Sequence, residues 1–205
     1  MYSIERKHNE VADFLLSCRI SPLIRASQSK STAHLANFDE RDVDYDGNCG
    51  FHVMELIMNM HFPQPQEPNP NFTALRELIC DLMSTDAHQI CVAKLNDGNK
   101  IYIEDELISE RRSVAAYCSV MARDGVCCGL NEFATFVHMV GDDIIIMYHS
   151  TKVVDGSVEE FPLSTESCRE NSIVYHVLHK DGAEGKDGHF VLLLPRANPL
   201  VEQVD

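Results

Sequence analysis

Tryptophan is absent from this 205-residue chain and basic side chains are scarce: 17 Lys and Arg stand against 32 Asp and Glu, a formal net charge of −15. A field of that sign repels a polyphosphate backbone, which excludes nucleic acid as the expected partner and favours a basic protein surface. Acidic composition also serves solubility on its own account. No apolar run approaches the roughly 20 residues of a membrane span. Met1 to Cys18 lacks the uninterrupted apolar core of a signal peptide, because Arg6, Lys7, Glu10 and Asp13 are scattered through it. The expectation is a cytosolic protein with no membrane partner, in the host cytosol if it is viral or a bacterial effector. There is no GxGxxG or Walker loop and no internal repeat, so nucleotide chemistry has no support.

A disulfide framework is also missing. The eight cysteines, at positions 18, 49, 80, 91, 118, 127, 128 and 168, show no spacing of the small secreted type. Cys80 and Cys118 fall on apolar helix stripes and read as buried thiols. Cys127-Cys128 is the close pair, and no second pair sits at finger-like spacing, so no structural metal and no cofactor is expected.

With 44% hydrophobic and 24% charged residues, the composition is that of a globular domain long enough to bury its own core. Val11, Phe14, Leu15 and Cys18 suggest a first amphipathic helix, ended near Ser21-Pro22. Leu75, Leu78, Ile79 and Leu82 mark another helix. Val114, Tyr117, Cys118 and Met121 mark a further one, and Phe133, Phe136, Val137 and Val140 one that stops at Gly141. Pro63, Pro65, Pro68 and Pro70 force an extended connector. Beyond Gly141 the period changes: Ile144 to Tyr148, Ile173 to Leu178 and His189 to Leu194 are short β-rich runs. Helices first and strands afterwards imply an α+β fold.

Chemistry concentrates in the run Tyr45-Asp46-Gly47-Asn48-Cys49-Gly50-Phe51-His52. Asp46, Gly47 and Asn48 read as a turn, and Val53, Leu56, Ile57 and Met60 follow at the spacing of one helix face, so Cys49 opens a helix. Free backbone amides and the positive end of the helix dipole lie there; both lower a thiol pKa and can cradle an oxyanion. A nucleophilic cysteine also needs a base. His189, after Asp187-Gly188 and before an apolar strand, is the candidate. His52 stands three residues along the helix and points toward the following turn, and His176, in mid-strand, reads as structural.

Asp46-Gly47-Asn48-Cys49 before a helix, with His189-Phe190 opening a late strand, resembles the ovarian tumour (OTU) family of cysteine deubiquitinases. A third block agrees in order and spacing: Tyr117 to Met121, Asp124-Gly125, Gly129-Leu130-Asn131-Glu132-Phe133 and the strand Ile144 to Tyr148. The resemblance spans residues 46 to 194. It implies a papain-like α+β peptidase fold, helices around a small, largely antiparallel sheet, with a catalytic domain over 38–197. Residues 1–37 would form an N-terminal helix and polar connector, and 198–205 a tail. It further implies Cys49 as nucleophile, His189 as base, and backbone amides of Gly47, Asn48 and Cys49 as oxyanion hole. The implied substrate is ubiquitin, ubiquitin chains or a ubiquitin-like modifier, cleaved by a monomer through a thioester. A ubiquitin-binding pseudoenzyme and a polypeptide-processing protease are the rival readings.

Two positions depart from the family. Many members carry Asp or Asn two residues after the histidine, where this chain has Val191, so the usual orienting group is missing. Asp46 is the first candidate to replace it, Asp44 the next, and a Cys-His dyad the third option. Cys127-Cys128 stands where the family commonly has Trp-Gly, which alters local packing.

Overall fold

The computed structural model describes residues 28–30, 32–63, 68–84, 101–103, 106–108, 114–151, 158–165, 169, 171–180 and 188–196. The helix expected over Val11 to Cys18, part of the proline connector, Asp187 and the tail 198–205 lie outside them. In chain order the elements are β1 (Gln28–Lys30), a 3₁₀ helix (Thr32–Asn37), β2 (Phe38–Arg41), α1 (Cys49–His61) and α2 (Phe72–Met83). They continue with β3 (Ile101–Ile103), β4 (Glu106–Ile108), α3 (Val114–Met121), α4 (Leu130–Val140), β5 (Ile144–Thr151), β6 (Val158–Leu163), β7 (Ile173–Lys180) and β8 (His189–Pro195). No helix among the described residues is long and apolar enough to cross a membrane.

The helices bury their apolar stripes, α1 and α4 against the sheet and α2 against α1, α3 and α4. In α1, Phe51, Val53, Met54 and Ile57 are buried. In α2, the Asn71 carboxamide accepts a hydrogen bond from the Ala74 amide at 3.0 Å, satisfying a free N–H of the first turn. At the start of α4, Glu132 Oε2 accepts from the Gly129 amide at 2.7 Å and Oε1 from the Tyr117 hydroxyl at 2.6 Å. Burial pushes the Glu132 carboxyl up, opposed by these donors. The same side chain therefore caps α4 and ties it to α3.

The main sheet has the order β1-β6-β5-β7-β8-β2. β5 and β7 are parallel and every other neighbouring pair is antiparallel, so the sheet is largely antiparallel, as expected. Alternation along the strands separates its faces. Ile144, Ile146, Tyr148, Tyr175, Val177, Phe190 and Leu192 join the helices in the larger core. Val191, Leu193, Leu178 and Phe38 form a smaller cluster on the other face. His176 lies there too, its ring 4.6 Å from that of Phe38 and its Nδ1 3.0 Å from His149 Nε2, in keeping with a structural reading.

Strands are not confined to the second half of the chain. β1 pairs with β6 and β2 with β8, so residues ahead of the helices complete the sheet, and its backbone begins before the boundary expected at 38. Both escape a periodicity reading because they are three and four residues long. In β2, Phe38-Asp39-Glu40-Arg41, only Phe38 is buried, as suits an edge strand. β6 is hidden by Pro162. That residue pairs with Met147 of β5, and among the described residues β1 reaches no further than Gln28, opposite Glu160.

Candidate active site

The turn before Cys49 is held from three directions through Asn48, which is 3% exposed. Its Oδ1 accepts from Arg76 Nη2 at 2.6 Å and from the Gly125 amide at 3.1 Å, and its Nδ2 donates to Asp124 Oδ1 at 3.0 Å and Asp46 Oδ2 at 3.1 Å. Gly47 adopts φ +79°, and a Cβ on it would stand 1.9 Å from the Gly125 carbonyl oxygen. Glycine is thus required both by conformation and by the close approach of the two loops.

Arg76 was not singled out in the sequence. It sits on α2, 2% exposed, and donates to the Met121 carbonyl at 2.6 Å and the Val126 carbonyl at 2.9 Å besides Asn48. Its guanidinium lies 4.1 Å from the centre of the Phe51 ring, a cation–π contact with α1. A visible signal existed: Phe72, Arg76, Ile79 and Met83 follow the spacing of one helix face, so a charge interrupts an apolar stripe.

Cys49 opens α1 at 2% exposure. Burial pushes its thiol up; the amides of Phe190 and Gly50 oppose this, and the nearby Asp46 carboxylate adds to it. The lowered thiol expected from a helix N-terminus is therefore not what the site has, because desolvation outweighs the amides. Beneath Cys49 the helix is pressed onto the core: a Cβ on Gly50 would lie 2.0 Å from Cys128 Sγ and 3.3 Å from Phe190. Cys128 thus fills the space under the nucleophile turn.

The Phe190 amide brings β8 to the sulfur, and His189 precedes it. His189 Nε2 lies 2.6 Å from Asp42 Oδ1. That hydrogen bond holds the Asp42 carboxyl below its usual range, so it is ionised at neutral pH and Nε2 is the donor. In the neutral ring Nδ1 is then the acceptor. Nδ1 is buried and has no hydrogen-bond partner among the described residues.

The carboxylate bonded to His189 is therefore Asp42, where the expectation was Asp46, then Asp44, then a Cys-His dyad. The Asp46 carboxylate is turned to its own loop, accepting from the Asn48 amide at 2.8 Å, the Asn48 side chain and His52 Nε2 at 3.1 Å. Burial raises the Asp46 carboxyl, but those hydrogen bonds outweigh it and hold the group below its usual value. His52 faces Asp46 and the Phe72 ring, 4.2 Å away between centres. The Asn48 amide, expected in the oxyanion set with those of Gly47 and Cys49, donates to Asp46 Oδ1. Val191 is fully buried beside Phe38, Leu178 and Leu193, where a carboxylate would lack solvation.

These assignments separate two carboxylates by measurement. Asp42→Ala is expected to slow turnover at least about tenfold, about 1.4 kcal/mol of transition-state stabilisation, with KM little changed. Asp46→Ala is expected to act first on stability, lowering the unfolding free energy by about 1 to 2 kcal/mol through the lost turn hydrogen bonds. Steady-state kinetics beside urea unfolding checks both. A variant pair in which only Asp46→Ala loses turnover would return the orienting role to Asp46.

No protein-family model matches the chain, and no curated protein matches it in sequence. Solved structures do. The viral OTU domain protease from Dera Ghazi Khan virus superposes with a TM-score of 0.50 at 17% identity, over 89% of this chain and 98% of that one. Those from Taggert virus and Farallon virus also give 0.50, at 12% and 13% identity, over 88% and 87% of this chain and 96% and 98% of theirs. At such identities the likeness is one of fold, and it agrees with the order of the sequence blocks: the chain has the papain-like α+β fold of the OTU domain.

Proposed function

We propose that the protein is a cysteine-dependent deubiquitinase that hydrolyses the isopeptide bond after the C-terminal Gly-Gly of ubiquitin or a ubiquitin-like modifier. The observation that carries the reading is the state of His189: Nε2 is bound to Asp42 and Nδ1 is buried without a hydrogen-bond partner among the described residues, beside a strand whose next amide points at Cys49. A base so held accepts the thiol proton at Nδ1. The OTU fold and the motif resemblance supply the substrate class.

In this mechanism Cys49 passes its proton to His189, and the sulfur attacks the carbonyl of the terminal glycine. The amides of Gly47 and Cys49 hold the tetrahedral oxyanion. Collapse breaks the carbon–nitrogen bond, and His189 returns the proton to the departing lysine amine. Water, deprotonated by His189, then hydrolyses the thioester. A monomer acting in the cytosol completes the proposal, with the acidic surface drawing in the basic face of ubiquitin.

Ubiquitin carrying an electrophilic C-terminus tests it directly. One covalent adduct per chain, mapped by mass spectrometry to Cys49, is the expected result. Binding without any adduct would sink the enzyme reading in favour of a ubiquitin-binding module. Parallel cleavage of differently linked diubiquitins then defines the substrate.

A further inference from the structure

Tyr45 is 61% exposed, an unusual position for a large aromatic beside a buried nucleophile turn. Its ring centre lies 5.0 Å from that of His189, with the planes inclined by 48°. We propose that Tyr45 is a positioning residue for His189, its ring backing the imidazole and stabilising the imidazolium that forms when Cys49 gives up its proton. The proposal rests on the Cys49–His189 reading of the site.

The connection from β2 to α1 explains why the ring is there. Asp42 grips Nε2, Val43 packs against the larger core, Tyr45 meets the imidazole, and Asp46 binds the Asn48 amide and side chain. One short strap therefore sets both the base and the nucleophile turn. A hydrogen bond at one nitrogen leaves the imidazole able to swivel about the line of that bond. An aromatic ring packed beside it opposes the swivel and shields the Nε2–Asp42 bond, whose carboxylate is 75% exposed on its own side.

Charge adds a second effect. An aromatic ring attracts a cation within about 6 Å of its centre, so the ring favours the protonated imidazole over the neutral one. The charged neighbours do not cancel this. Asp42 acts in the same direction, and Lys180, opposite His189 in the β7–β8 register, is paired with Glu40. The proton moves only from the Cys49 thiol to Nδ1, and no other group is consumed.

Tyr45→Phe and Tyr45→Leu separate ring from bulk, because leucine keeps apolar volume and loses the π face. The rate of Cys49 alkylation by iodoacetamide at neutral pH, followed on the Cys49 peptide by mass spectrometry, reports the thiolate–imidazolium pair without any ubiquitin. Alongside it, kcat and KM are read with ubiquitin carrying a C-terminal fluorogenic amide. Tyr45→Phe is expected to stay within about twofold of the parent in both, and Tyr45→Leu to fall at least about fivefold in alkylation and in kcat with KM little changed. The urea midpoint should not move, the ring being largely exposed. Leucine reacting as fast as tyrosine overturns the proposal. So does phenylalanine falling as far as leucine, which would assign the effect to the hydroxyl. If no variant, nor the parent, turns over ubiquitin while the alkylation difference persists, the substrate reading fails and the positioning role stands.

Discussion

Cys49→Ala is expected to reduce kcat for ubiquitin cleavage at least about a thousandfold while leaving the affinity for ubiquitin within a few-fold of the parent, because the covalent route disappears altogether. Cys49 is 2% exposed, so its sulfur offers little contact area to a bound partner and its loss costs little binding. His189→Asn should suppress turnover comparably, since asparagine keeps polarity but cannot carry the proton between sulfur and leaving amine. The measurements are steady-state turnover of a fluorogenic ubiquitin amide and calorimetric titration with ubiquitin. An alanine variant that still cleaves would move the search, among the described cysteines, to Cys127, which is partly exposed, whereas Cys80, Cys118 and Cys128 are buried. A fully active His189→Asn would remove the only base whose unpartnered nitrogen faces away from its carboxylate toward the interior among the residues described.

Arg76→Ala should destabilise the fold by about 3 to 5 kcal/mol, the largest stability effect expected of one surface-remote substitution here. The guanidinium is buried and supplies donors to the carbonyls of Met121 and Val126 and to Asn48, while its face covers Phe51. Deleting it strands those acceptors and opens a cavity between α1 and α2. Arg76→Lys should recover only a fraction, because an ammonium cannot span three acceptors with a planar fork. Urea unfolding gives the free energy. In the alanine variant, under conditions where it remains folded, the site should also weaken through Asn48, whose hold on Asp46 and Asp124 depends on a fixed carboxamide. A loss below about 1 kcal/mol would show that neighbouring groups or water replace the guanidinium without difficulty.

Helix stripes survive the passage from sequence to fold because their signal is local. Cys49 does begin a helix, Leu75 and Ile79 do face the core, and α4 ends with the Gly141 amide bonded to the Val137 carbonyl. The longer strands, β5, β7 and β8, carry enough apolar residues to be read directly. β1, β2 and β6 do not, being short, charged or interrupted by proline, and their existence depends on partners far along the chain.

Residue identity and short-range spacing therefore determined the α+β class and the helix that presents Cys49, and the family resemblance joined that turn to the strand opened by His189. Tertiary structure decided what completes the site. Sequence ranks Asp46 ahead of Asp44 and gives no signal for Asp42, whose bond to His189 follows from the antiparallel pairing of β2 with β8, which carries the residue after Arg41 alongside the start of β8, 147 positions away. The same long-range packing brings Arg76 under Asn48, whereas Asp46 bonds locally to Asn48 and His52. It also raises the Cys49 thiol that its helix position would lower, because desolvation depends on what surrounds the sulfur and not on which residues flank it.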